Sequence, residues 1–200
     1  LDGIAVAGST GEGELLDEAE KIQLVEWLRD IVPDDKWLIA GTGTESTRAA
    51  VRLAQAAGAA GADAVLVRPP SYFGGILSSQ QFAYHYATLA DQSPVPVIIY
   101  NIPKYTHVPL SDQVLAALAD HPNIVGAKDS SGDLKNFASY RDAVPNWALF
   151  VGSGALYYAA LEMGAVGGIL AVANFAAPLA VRIRDAFARS RMRQDQGRLF

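Results

Sequence analysis

Apolar residues along this chain gather in short runs, each closed by a polar or glycine-rich cluster. The runs are 3–8 (GIAVAG), 37–41 (WLIAG), 64–67 (AVLV), 95–100 (VPVIIY), 124–128 (IVGAK), 148–151 (ALFV) and 168–171 (GILA). Runs of four to six residues rich in Val, Ile and Ala, without a strict apolar–polar alternation, suit strands buried on both faces of a parallel sheet. Between them lie windows of helical character: 17–30, 46–60, 78–92, 111–120, 133–143, 155–163 and 178–190. In the first, Ile22, Val25, Trp27 and Leu28 recur at helical spacing behind an acidic first turn, the arrangement the helix dipole favours. The second opens on Ser46 and Thr47, which can cap it, and Pro178 suits a first helical turn. Pro96 is unusual inside a central strand, so the strand of the fourth run is expected to start there.

Strands alternating with helices predict an α/β fold with a parallel sheet. Doubly wound and barrel arrangements both satisfy that pattern. Even spacing favours the (β/α)8 barrel, as do the clusters that follow nearly every strand: GSTGE, GTGTES, RPPSYF, NIPKYTH, DSSGD, GSGA and ANF. A barrel collects such strand ends on one rim, where its sites are built. A complete barrel needs eight strands and about 250 residues, whereas this chain has 200 residues and seven runs. It opens on Leu1, enters a strand almost at once and ends in a helix-like segment. The expectation is a single incomplete barrel domain over residues 1–200, lacking its first strand–helix unit.

Composition removes several classes of function. Half of the residues are hydrophobic and 18% charged, enough for a substantial core. A formal net charge of −5 without a basic run argues against nucleic acid. There is no cysteine, so neither a disulfide framework nor a thiolate metal site is available, in keeping with a reducing cytoplasm. No apolar run approaches the ~20 residues of a membrane span, and no signal-peptide pattern is visible.

Lys128 stands at the end of Ile124-Val125-Gly126-Ala127. A lysine buried at the mouth of a barrel is penalised as an ammonium, so its pKa falls and its free amine can attack a carbonyl to form a Schiff base. The bland alternative is a lysine that reaches solvent or pairs with Asp129. Lys21, Lys36 and Lys135 lie in polar windows, and Lys104 on a loop is a lesser rival. Residues 8–12 (GSTGE) can converge backbone N–H groups on an anion, with hydroxyls from Ser9 and Thr10; a plain capped turn is the alternative. Tyr100 ends the fourth run, where a phenol can move protons or merely cover the core. Tyr72 sits in a proline-stiffened loop suited to substrate, to a neighbouring subunit or to neither. A phosphate-binding barrel is also open, since Gly152-Ser153-Gly154 supplies half of that pattern. No glycine cradle follows the last strand to supply the other half. A non-catalytic binding module is a third reading, because a missing strand would leave two unpaired edges.

Together, residues 8–12 (GSTGE), 100–103 (YNIP), 124–132 (IVGAKDSSG) and 164–173 (GAVGGILAVA) resemble, in this order and spacing, the dihydrodipicolinate synthase / N-acetylneuraminate lyase family. The resemblance runs over nearly the whole chain but lacks the family's first strand and helix and its C-terminal helices. It implies a class I aldolase or lyase that needs no metal or cofactor and handles a 2-oxo acid such as pyruvate, in a homo-oligomer built as a dimer of dimers. Lys128 would be the Schiff-base lysine and Tyr100 the proton relay. Ser9, Thr10 and Gly11 would lie at the relay and carboxylate-binding positions. Tyr72 would be the tyrosine donated across the dimer interface, and Ile169 would line the site with its carbonyl. One departure matters. Where typical dihydrodipicolinate synthases carry a carboxylate-binding arginine, this chain has Tyr105, and a phenol cannot replace a bidentate guanidinium. Residues 77–79, 84–86, 93–97 and 121–126 look closer to the 4-hydroxy-2-oxoglutarate aldolase branch, with the synthase and 2-keto-3-deoxy sugar acid aldolases as alternatives.

Overall fold

The computed structural model describes residues 1–197. Seven strands form one sheet in sequential order, every neighbouring pair parallel. They are β1 (Gly3–Val6), β2 (Trp37–Gly41), β3 (Ala64–Val67), β4 (Val97–Asn101), β5 (Ile124–Asp129), β6 (Ala148–Val151) and β7 (Gly167–Gly168). Between and after them run α1 (Glu18–Arg29), α2 (Thr47–Ala59), α3 (Ser79–Gln92), α4 (Pro103–Thr106), α5 (Asp112–Ala116), α6 (Leu134–Ala143), α7 (Tyr157–Glu162) and α8 (Ala173–Gly197). This is the strand–helix order of an (β/α)8 barrel with seven strands present. Among the described residues β1 and β7 each have one strand neighbour, so the sheet curls but stays open at that seam.

The two faces of the sheet bury different sets of side chains. Leu38, Val65, Val67 and Ile99 point outward against the helices and are fully buried, each contributing roughly 1.5–3 kcal/mol. Ile39, Ala64, Leu66, Ile98 and Tyr100 point inward and pack with Phe150 and Ile169. Local chemistry sets the helix starts. Asp17 and Glu20 form a capping box at α1, and Ser78 and Gln81 another at α3, while the Ser46 hydroxyl accepts from Ala49 N–H at α2. Such caps typically contribute about 1 kcal/mol each.

The differences from the sequence reading are local. Strand β4 begins at Val97, one residue after Pro96, whose carbonyl still accepts from Val65 N–H at 2.9 Å. The last helix starts at Ala173, but its backbone leaves helical geometry at Ala176 (φ −130°, ψ 32°). Pro178 therefore falls in the first turn of the segment that follows. Strand β7 is only two residues long. The sequence reading missed the short α4, whose first residue is Pro103 and whose C-cap, His107, is left-handed (φ 55°).

Candidate active site

A register shift between β4 and β5 decides where Lys128 points. Val97 pairs with Ile124, but the next residue, Ile98, pairs with Gly126. Val125 is the extra residue of a β-bulge and is 39% exposed. Side chains alternate faces along a strand, so one extra residue inverts the phase of everything after it. Gly126 and Lys128 thereby share the inward phase of Ile98 and Tyr100, while Ala127 and Asp129 point outward. Gly126 also has no room for a side chain, since a Cβ there would stand 2.2 Å from the Ala148 carbonyl oxygen.

Lys128 is 8% exposed, and its Nζ lies over the Tyr100 ring, 4.0 Å from the centroid. The two residues are register partners across β4 and β5. Burial pushes the Lys128 ammonium below the ordinary lysine range, against an opposing pull from the Tyr100 phenol. Pairing with Asp129, the bland alternative, does not occur. The Asp129 carboxylate is buried on the other face, where it accepts from Asn101 Nδ2 (2.8 Å), Asn136 Nδ2 (3.1 Å), Ser131 N–H (3.1 Å) and Ser131 Oγ–H (2.7 Å). Asn101 Oδ1 accepts from Leu110 N–H at 3.1 Å. Thus the outward pair Asn101–Asp129 pins the strand ends that carry the inward pair Tyr100–Lys128.

Lys21 is also 8% exposed, contrary to its polar sequence window. It lies on α1, outside the barrel, and its charge faces the Glu14 carboxylate. Lys128 is therefore the one of these two buried lysines that stands on the inner face with an apolar and aromatic surround.

The loop after β1 brings Ser9 to Tyr100, with Oγ and phenol oxygen 3.4 Å apart. Of the two neighbouring hydroxyls, Ser9 is the one in contact with the phenol; among the described residues Thr10 makes no such contact. Among the described residues the amides of Ser9, Thr10 and Gly11 have no backbone acceptor, leaving three donors beside the two hydroxyls. The left-handed turns of this loop do not fall on its glycines. The left-handed residues are Ala7 (φ 51°) and Glu12 (φ 52°). Gly13 and Gly41 instead serve close approach, since a Cβ on either would stand 2.0 Å and 2.2 Å from the Ala7 carbonyl oxygen.

On the other side of Lys128, a Cβ on Gly152 would meet Ser130 Oγ at 1.8 Å and Lys128 Cε at 3.3 Å. Gly152 thus keeps space first for Ser130 and then for the lysine, a packing reason for the glycine. Ile169 lies just past β7, packs against the inner cluster, and donates its N–H to the Val151 carbonyl at 3.1 Å. Tyr72 and Tyr105 stay apart from this cluster. They are 82% and 61% exposed, and the Lys104 ammonium lies 5.2 Å from the Tyr105 ring centroid.

The sequence reading missed Arg68, Glu14 and Glu45, which join three rim loops (below). One signal was available: Ala64-Val65-Leu66-Val67-Arg68 has the same form as the run ending in Lys128. It also missed His85, which is 3% exposed and shares a 2.8 Å hydrogen bond between Nδ1 and Thr47 Oγ1. Burial, aided by the nearby Arg68 charge, pushes its pKa down to about 4. Among the described residues no group of three or more His, Asp or Glu side chains could hold a metal ion, and no helix is long and apolar enough to cross a membrane.

Comparison with known proteins places this geometry. The model of the dihydrodipicolinate synthetase family matches residues 1–194. The 4-hydroxy-tetrahydrodipicolinate synthase of Macrococcus caseolyticus is 33% identical over 175 residues, which are 87% of this chain and 58% of the relative. The chain therefore spans somewhat more than half the length of that curated relative. Among solved structures, YagE of E. coli K12, a prophage protein of the dihydrodipicolinic acid synthase family in complex with pyruvate, superimposes with a TM-score of 0.90 at 28% identity. It covers 98% of this chain and 67% of the other. CdNal of Clostridium difficile, in complex with mannosamine, gives 0.85 at 29% identity over 99% and 67%. With the family model matching nearly every residue and the solved relatives sharing the fold, the chain belongs to the dihydrodipicolinate synthetase family.

Proposed function

We propose that this chain carries the site of a class I lyase that forms a Schiff base between Lys128 and a 2-oxo acid. One observation carries the reading: a buried lysine without a carboxylate partner, facing into the barrel over the ring of its register partner Tyr100. The Lys128 amine adds to the keto carbon, and loss of water from the carbinolamine gives the protonated imine. That imine accepts the electron pair of the bond β to the imine carbon as it breaks, giving an enamine. The hydroxyl of the departing fragment becomes an aldehyde and gives up its proton to Tyr100, which is 3.4 Å from Ser9 Oγ. Protonation of the enamine and hydrolysis then return the amine. The three free amides and two hydroxyls at Ser9–Gly11 suit the 2-oxo acid carboxylate.

Two features support an aldolase of the 4-hydroxy-2-oxoglutarate type over the synthase. Tyr105 stands in place of the guanidinium, and the rim's Arg68 is already bound to two carboxylates. Tyr72, exposed on the rim, would serve the relay of a neighbouring copy in a homo-oligomer. The test is reductive trapping: incubation with pyruvate and borohydride, then peptide mapping. The expected result is an adduct on Lys128; a folded chain with no adduct there ends the proposal. Assays of 4-hydroxy-2-oxoglutarate cleavage beside condensation of pyruvate with aspartate semialdehyde separate the substrates, and Tyr105→Arg should favour condensation.

A further inference from the structure

Three loops of the rim are joined by one arginine. Arg68, the first residue after β3, has a side chain only 15% exposed. Its Nε and Nη2 donate to the two oxygens of Glu14, in the loop after β1, at 2.9 Å and 2.7 Å. Its Nη1 donates to Glu45 Oε1, in the loop after β2, at 2.9 Å and to the Pro69 carbonyl at 2.9 Å. Glu45 in turn accepts three bonds from the Tyr72 loop: Ser71 Oγ–H to Oε1 at 2.9 Å, and the N–H groups of Ser71 and Tyr72 to Oε2, each at 2.8 Å. Gly43 makes room for the arginine, since a Cβ there would lie 2.5 Å from Arg68 Cγ. The far side of the Tyr72 loop rests on Val108, where a Cβ on Gly74 would come within 2.0 Å of Cγ2.

Isolated exposed ion pairs contribute little, but this arrangement differs in kind. The guanidinium holds one carboxylate by two parallel bonds and a second by another, the geometry that fixes orientation as well as distance. The second carboxylate spends its other lone pairs on the backbone that carries Tyr72. The result is an 82% exposed tyrosine on a fixed mount, tied to the loop that holds Ser9.

We propose that Glu14, Arg68 and Glu45 form a strut of positioning residues that sets Tyr72 on the rim relative to Ser9, and that Glu45 acts on the reaction only through Tyr72. This rests on the Schiff-base reading above. Burial would raise the carboxyls of Glu14 and Glu45; the bonds from Arg68 to the first, and from Tyr72 and Ser71 to the second, outweigh it and hold both below the ordinary carboxylate range. The strut is therefore charged at neutral pH.

The experiment compares Glu45→Gln, Tyr72→Phe and the double variant in the 200-residue chain, with two readouts. The first is amide hydrogen exchange. Glu45→Gln should lose protection at Ser71 and Tyr72 and keep it at Val67 and Ile99. Retained protection at Ser71 and Tyr72 overturns the strut whether or not any adduct forms. The second is the rate of pyruvate adduct formation on Lys128 under cyanoborohydride. Each single variant should slow it about tenfold, the scale of a modest misplacement of a reacting group, and the double should be no slower than Tyr72→Phe alone. Effects that multiply would show Glu45 acting by another route and overturn the proposal. Absence of any adduct in the unsubstituted chain would instead count against the Schiff-base reading, leaving exchange to judge the strut.

Discussion

On the Schiff-base proposal, Lys128 is held at a cost that its chemistry would explain. An amine that is 8% exposed with an aromatic ring below it and no carboxylate beside it lowers stability while it makes a nucleophile. Lys128→Met, which nearly preserves volume, should abolish the pyruvate adduct and raise the melting temperature, with a gain of roughly 1–3 kcal/mol for removing a poorly solvated polar group. The pH dependence has a fixed sign. The folded pKa is lowered, so between it and the unfolded value the unfolded chain binds the extra proton and stability rises with pH. The gap between Lys128→Met and its parent should be widest where both states are protonated and close as the pH rises toward the ordinary lysine range. Thermal melts across alkaline pH check this; a variant that is less stable at every pH contradicts it. At this scale, the run ending in Lys128 was legible in sequence as an apolar stretch closed by a charge. The choice between Ser9 and Thr10 was not, because adjacent hydroxyls on one loop differ only in which way the backbone turns at Ala7 and Glu12.

Among elements, β5 carries the most information per residue. Its bulge at Val125 inverts the phase of the strand, and without it Lys128 would share the outward phase of Ile124, against the helices. Deleting Val125 removes the extra residue but leaves Gly126 and Lys128 in the inward phase, so trapping by pyruvate should persist, whereas deleting Ala127 keeps the bulge, turns Lys128 out of the barrel and should eliminate trapping. Either a folded Ala127-deletion variant that still forms the adduct on Lys128, or a folded Val125-deletion variant that loses it, would disprove the phase given to this strand. Gly126→Ala should destabilise the same strand, since its Cβ would collide with a backbone carbonyl that cannot swing away. Strand positions were readable because parallel strands are apolar throughout. Phase was not readable for the same reason: a run that is buried on both faces has no alternation to show which side chains point in. Short α4 escaped because four residues carry no period, although Pro103 marked its start.

At the scale of the molecule, two different surfaces can drive self-association, and they make opposite predictions. One is the rim patch of Tyr72, Phe73, Ile76 and Tyr105, each more than 60% exposed, with Tyr72 and Phe73 locked edge to face at 4.8 Å. The other is the open seam at β1, whose Ile4 is 43% exposed beside a strand with one neighbour only. An unpaired strand edge recruits further chains without a fixed end point, whereas a rigid apolar patch that meets its own copy closes into a discrete pair. The Glu45 mount makes the rim patch rigid, so the expected species is a discrete dimer through Tyr72 and Phe73, with the seam responsible only for larger, polydisperse material. Sedimentation velocity over a micromolar concentration series separates them. Phe73→Ser with Ile76→Asp should shift the discrete boundary to the monomer, and Ile4→Lys should remove the fast, heterogeneous material and leave the dimer. If Ile4→Lys alone abolishes all association while the rim variant sediments like its parent, the exposed aromatics are not an interface, and a role for Tyr72 in a neighbour's site falls with them.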